Sequence, residues 1–185
     1  MAAKPVPDGY HTVTPYLTVR GAPKVIEFLQ QAFGAKTSLE PIKRPDGSIM
    51  HAQVTIGDAP VMIAEESEMA KATASSLYLY VPNVDSVYQR AVKAGGTTIM
   101  EPTDMFYGDR SGCVKDPSGN SWFIATHKED VAPQELQKRG GLHEATEGQG
   151  RLSGRRGFPL LLVDWITGLT WPVIPEPEGS GKLKL

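Results

Sequence analysis

His51, Gln53 and Tyr78 form one group of residues able to do chemistry, and the run Phe106-Tyr107-Gly108-Asp109-Arg110 forms another. A histidine titrates near neutral pH, so His51 could act as a general base, with Gln53 and Tyr78 orienting a substrate through hydrogen bonds. An imidazole hydrogen-bonded to its strand neighbours is the structural alternative for His51. In the second group, Arg110 could hold an anion beside an aromatic lid made by Phe106 and Tyr107. The alternative there is a loop ion pair between Asp109 and Arg110, worth little if solvent surrounds it.

Hydrophobic periodicity shows which elements must position these residues. Val13 to Arg20 alternates, with Leu17 and Val19 on one face and Thr14, Tyr16 and Thr18 on the other, and so reads as a half-buried strand. Val25, Ile26, Leu29 and Phe33 follow at helical spacing, and Gly34 is placed to end that helix. Further strands are expected over Thr37 to Lys43, Ile49 to Ile56 and Pro60 to Ala64. After the polar connector Glu65 to Ser75 the pattern restarts. Ser76 to Val81 is a strand, Val84 to Ala94 a helix, and Thr97 to Met100 a strand. Asp109 and Arg110 are expected in the loop before a last hairpin, which turns at Asp116-Pro-Ser-Gly-Asn120 and returns through Ser121 to Thr126.

The restart is a repeat. Val19 and Val81 lie 62 residues apart, as do Gly34 and Gly96. Internal repetition of this length decides the fold. The expected class is α+β, with two tandem βαβββ modules over about residues 10–66 and 76–128. They should form a cupped eight-stranded mixed sheet with two helices on its outer face. Period 2 then turns Thr14, Tyr16, His51, Gln53, Thr55, Met62, Ser76, Tyr78, Tyr80 and Phe123 toward the cup. That set mixes aromatic and polar groups, as small-molecule pockets do, although the same side chains could simply fill a barrel or a dimer seam. The expected ligand-binding residues are Tyr16, Gln53, Tyr78, Phe106, Tyr107, Asp109, Arg110 and Phe123, with His51 as the catalytic candidate.

Three segments occur in the order GYHTVTPYLTVRGAPKVIEFLQQAFGA, IMHAQVTIGDAPVMIAEE and YGDRSGCVKDPSGNSWFIATHKED. Together they resemble the vicinal oxygen chelate superfamily of glyoxalase, bleomycin-resistance and dioxygenase proteins, and its PhnB-like branch in particular. The resemblance covers about residues 9 to 138. It implies eight strands and two helices, a small-molecule ligand, and pairing of modules within a chain or across a homodimer. Metal-using members of that superfamily carry His or Glu at four positions. These align with Thr14, Met62, Ser76 and Phe123, none of which is a useful ligand for a divalent ion. The expectation is therefore a binding protein with no metal cofactor. A metal-dependent lyase, isomerase or dioxygenase using other ligands, such as His51, His127 and Glu66, is the alternative.

Composition removes other classes. The chain is 40% hydrophobic and 22% charged, as soluble globular proteins are. A net charge of −2 leaves no electrostatic footprint for nucleic acid. The single cysteine, Cys113, excludes an intrachain disulfide and a Cys-rich zinc site. MAAKPVPDGY has no apolar run of a signal peptide, so residues 1–9 read as a loose arm and the expected location is the cytoplasm, without membrane association. The expected domain spans residues 10–138. Residues 139–185 read as a linker and a tail, whose segment FPLLLVDWITGLTWPVI is strongly apolar but interrupted by Asp164, Gly168 and two prolines. An interaction module working through that tail is a further reading.

Overall fold

A computed structural model describes residues 4–140. Those residues fall into two compact units divided between Asp130 and Val131. The expected tail segment lies outside the described residues. The second unit contributes one described element, a helix over residues 133–140 (α3) that the sequence reading did not anticipate.

The first unit runs β1 (Tyr16–Val19), α1 (Ala22–Phe33), β2 (Lys36–Lys43), β3 (Ile49–Ile56), β4 (Ala59–Glu65), β5 (Ser76–Tyr80), α2 (Val84–Lys93), β6 (Thr97–Asp104), β7 (Asp109–Lys115) and β8 (Ser121–His127). The expected α+β architecture and the βαβββ repeat are borne out. Its eight strands are divided between two four-stranded sheets, ordered β1-β4-β3-β2 and β5-β8-β7-β6, which do not close into a barrel. In each, the first and last strands of the module pair in parallel, and the rest is antiparallel.

The repeat extends to details that only the strand order makes legible. The outer strands β2 and β6 carry Pro41 and Pro102, each within an irregular stretch of the register, between Leu39 and Ile42 in one and between Met100 and Thr103 in the other. Proline donates no ladder hydrogen bond, so a sheet accepts it at an edge or a bulge. Helix starts are capped from equivalent places too. Glu65, ending β4, accepts hydrogen bonds from the Gly21 and Ala22 amides at 2.8 and 2.7 Å. Thr126, on β8, accepts one from the Val84 amide at 2.8 Å.

The apolar strand faces opposite those turned toward the cup meet the helices. Leu17, Val19, Val54, Ile56, Val61, Ile63, Trp122 and Ile124 belong to one core with Val25, Phe28 and Leu29 of α1 and Val84, Val87 and Tyr88 of α2; Leu77 and Leu79 pack against it. That core crosses the module boundary on the helix side. The Phe33 and Trp122 rings lie 5.0 Å apart, and Arg90 Nε donates to the Ala32 carbonyl at 3.3 Å.

Two local expectations change. β1 begins at Tyr16, not Val13, which is 82% exposed; Pro15 has no N–H to offer, and Thr14 turns its hydroxyl back to the His11 carbonyl at 3.1 Å. Asp109 and Arg110 are the first residues of strand β7 rather than a loop. Alternation along that strand sends their side chains to opposite faces, which separates the proposed ion pair.

Candidate functional site

In the second module, the sheet face away from α2 is built by β5, β7 and β8. Tyr78 stands opposite Phe123, and Phe123 opposite Cys113. The Tyr78 and Phe123 rings stack, with centroids 5.9 Å apart and planes 10° from parallel. One step along, Tyr80 and Ser111 flank Ala125, and Asp109 stands opposite His127. The alanine leaves room between larger neighbours, and the Tyr80 hydroxyl reaches Asp109.

Asp109 is the hub of this face. Its side chain is only 5% exposed. Oδ2 accepts hydrogen bonds from the hydroxyls of Tyr78 and Tyr80 at 3.2 and 3.0 Å, and Oδ1 lies 2.8 Å from His127 Nδ1. The other ring nitrogen of His127 is 3.1 Å from Asp130. Burying a carboxylate is expensive unless its lone pairs are filled, and three side chains fill them here. The loop before β7 adds two rings, Phe106 and Tyr107, edge-on with centroids 5.3 Å apart. The Tyr107 and Tyr78 hydroxyls are 3.4 Å apart. Beneath them Ser111 is fully buried, and its hydroxyl has no hydrogen-bond partner of acceptable geometry.

The electrostatics fix what these groups can do. Burial first, and then the Tyr107 hydroxyl, push the Tyr78 phenol far above its usual value of 10. Burial raises Tyr107 as well. Both phenols stay protonated and serve as hydrogen-bond donors, not bases. Burial also pushes the Cys113 thiol up to about 12, so it is no thiolate nucleophile at neutral pH.

His127 is raised above 6.5 by its hydrogen bonds to Asp109 and then Asp130. A base whose folded value exceeds its unfolded one stabilises the fold fully below the unfolded value, and loses that contribution as pH rises through the folded value. Denaturant titrations should therefore show stability falling from about pH 6 toward pH 8, and His127→Gln should flatten that part of the profile. An unchanged profile in the variant would show that His127 gains no proton affinity on folding.

The first module's corresponding face holds a different group. Met62 stands opposite both Tyr16 and Gln53. Gln53 is buried and engaged at both ends: it accepts from the Tyr10 hydroxyl and donates to Ser38 Oγ at 3.1 Å. The His51 ring lies 5.8 Å from that of Tyr16, tilted by 32°. The hydrogen bonds and ring contacts of this group stay within the first module, and those of the Asp109 group within the second.

Of the residues expected from the sequence, Tyr78, Phe106, Tyr107, Asp109 and Phe123 are brought together, while Tyr16, Gln53 and His51 are gathered on the other sheet. Arg110 joins neither group. Its guanidinium pairs with Asp85 at 2.8 Å and Asp104 at 3.3 Å on the helix side of β7. Sequence reasoning turned Tyr80 toward the cup without naming it as a ligand-binding residue, and it left out Tyr10, Ser111 and the place of His127 at the hub. Tyr80 and His127 carried a usable signal, since Tyr80 shares the parity of Tyr78, and His127 shares that of Phe123.

The four positions at which metal-using relatives carry ligands do not fit a divalent ion here. Thr14 is spent on a backbone carbonyl, Met62 offers a thioether, Ser76 is an exposed hydroxyl and Phe123 stacks on Tyr78. Among the described residues no three His, Cys, Asp or Glu side chains are grouped to hold an ion. The alternative set is also engaged elsewhere: Glu66 pairs with Arg20 at 2.7 Å, and His127 with two aspartates. Among the described residues, no helix is long and apolar enough to cross a membrane.

Comparison with known proteins agrees with this architecture. The model of the Glyoxalase/Bleomycin resistance protein/Dioxygenase superfamily matches residues 10–124. An uncharacterized protein of Mycobacterium bovis, Mb0911c, is 32% identical over 136 residues, covering 68% of this chain and 89% of the relative. Among solved structures, TioX from Micromonospora sp. ML1 superposes with a TM-score of 0.51 at 22% identity, over 62% of this chain and 98% of TioX. A glyoxalase/bleomycin resistance protein/dioxygenase family enzyme from Burkholderia phytofirmans gives 0.51 at 20% identity, over 60% and 94% of the two chains. A PhnB protein from Bacillus cereus gives 0.50 at 18% identity, over 63% and 99%. With its repeat, its sheet order and these matches in agreement, the chain belongs to the Glyoxalase/Bleomycin resistance protein/Dioxygenase superfamily.

Proposed function

We propose that this protein binds a small planar organic molecule on the open face of its second module, without a divalent metal, and that it does so as a homodimer. The observation that carries the reading is the Asp109 hub beneath an aromatic surface. Tyr78 and Tyr80 remain 41% and 63% exposed although their hydroxyls are anchored, so their rings are held in place yet uncovered. Anchored aromatic rings bind planar ligands with little loss of side-chain entropy. Ser111, fully buried, lies beneath these rings. The phenols of Tyr78 and Tyr107 are held protonated, and both His127 ring nitrogens are engaged by aspartates rather than presented to a ligand. Binding is therefore favoured over catalysis.

Exposed apolar groups on the other open face support the self-association. Tyr16, Leu39 and Ile42 are exposed there, and covering that face with the second module of another copy would close a cup with Tyr16 and His51 as its far wall. Calorimetric titration with bleomycin and a set of simpler planar aromatic compounds tests the proposal, alongside sedimentation velocity. At least one compound should bind a dimer, and Tyr78→Ala should weaken that binding by about 10- to 100-fold, the effect of losing a central aromatic contact. A monomer that binds none of these compounds, or an affinity indifferent to Tyr78, would sink it.

A further inference from the structure

A second recess lies away from both open faces, where the two modules join. It has a volume of about 240 Å³ and is walled by Phe33 at the end of α1, Ile56 at the end of β3, Leu79 and Pro82 around the end of β5, and Val87 and Arg90 on α2. Its walls are mostly apolar, and Arg90 is the one charged residue that lines it. The guanidinium is fixed by Nε, which donates to the Ala32 carbonyl at 3.3 Å. Its two terminal nitrogens have no hydrogen bond or ion pair among the described residues. Among the other described residues, Arg20 is engaged by Glu66, Arg44 by Ser48 and backbone carbonyls, Arg110 by two aspartates and Arg139 by Glu135.

We infer that this seam is a binding site for a small amphiphilic carboxylate, a single aromatic ring or a short alkyl chain bearing one carboxyl group. The apolar walls take the hydrocarbon, and the free fork of Arg90 takes the carboxylate in the paired geometry that guanidinium groups favour. Size argues for a small occupant, because drug-sized ligands need roughly 300–1,000 Å³. The site does not depend on the ligand proposed for the open face. The two meet only at Tyr80, which is among the residues lining the recess while its hydroxyl reaches Asp109.

The test is a titration of the ¹⁵N-labelled full chain with benzoate and hexanoate, and in parallel with benzyl alcohol, followed by amide shifts. The carboxylates should move the amides of Gly57, Val81 and Val87 and bind about tenfold more tightly than the alcohol, the worth of a hydrogen-bonded charge. In Arg90→Gln that preference should vanish, and in Arg90→Lys it should survive in part. The carboxylate-to-alcohol ratio is read within each protein, so a general loosening from losing the Ala32 contact does not imitate the result. If Arg90→Gln fails to fold, the wild-type ratio and the shift map still decide. Equal affinity for acid and alcohol, shifts confined to Tyr78, Cys113 and Phe123, or no binding would each overturn the assignment.

Discussion

Replacing Asp116 with alanine is expected to destabilise the fold by about 3–6 kcal/mol, the sum of roughly two charge-assisted hydrogen bonds, those from the buried Asn120 and Trp122 side chains. This carboxylate opens the turn between β7 and β8 and is 5% exposed. Oδ1 accepts from the Ser118 and Asn120 amides at 2.9 and 3.0 Å, and Oδ2 from the Asn120 side chain at 2.8 Å and Trp122 Nε1 at 3.1 Å. Four donors lose their acceptor together, and Asn120 and Trp122 are too deep to turn to solvent. The Asn120 carbonyl group of the side chain also accepts from the Ser75 amide at 3.0 Å, so the loss reaches the connector entering β5. Guanidinium denaturation is the measurement, with Asp116→Asn as an intermediate case that keeps one acceptor. A midpoint shift worth under about 1 kcal/mol would mean that water enters the turn and satisfies the donors.

Phe28→Ala should cost about 3–5 kcal/mol, the range for emptying a buried aromatic site. Phe28 is 1% exposed on α1 of the first module, yet a Cβ placed on Gly96 of the second would come within 3.1 Å of its ring. It also meets Phe33 edge-on at 5.6 Å, and Phe33 in turn meets Trp122. The cavity thus opens in the seam. Because both modules share one core, the variant should still unfold in a single cooperative step followed by far-ultraviolet circular dichroism. Two resolved steps would show that each module holds together by itself.

Much of this architecture was legible in the chain. Leu17, Val54, Ile63, Trp122 and Ile124 lie on the strand faces that alternation turns away from the cup, and each is in the core. Alternation suffices there because strand side chains have a period of two, so one buried residue sets the face of its neighbours. The site was legible in part. Tyr78 and Phe123 were placed together for the same reason. Asp109 and Arg110 were both placed in a loop, with Arg110 either holding an anion beside the aromatic lid or pairing with Asp109, because adjacent opposite charges after Gly108 look like a loop. Once they are in β7, the pleat sends Asp109 to Tyr78, Tyr80 and His127 and sends Arg110 to Asp85.

By itself, then, the sequence determined the two βαβββ modules, the face each strand buries and the absence of metal ligands at the four aligned positions. The first two depend on residue type and short-range spacing, and the third on the positions that the family resemblance aligns. Only the tertiary structure decided that the modules join along their helices through Phe28, Phe33 and Trp122, that two separate sheets result, and that a buried carboxylate organises the aromatic face of one of them. Periodicity specifies which side of an element is apolar, but not which distant element will cover it. That choice belongs to the packing of side chains far apart in the chain.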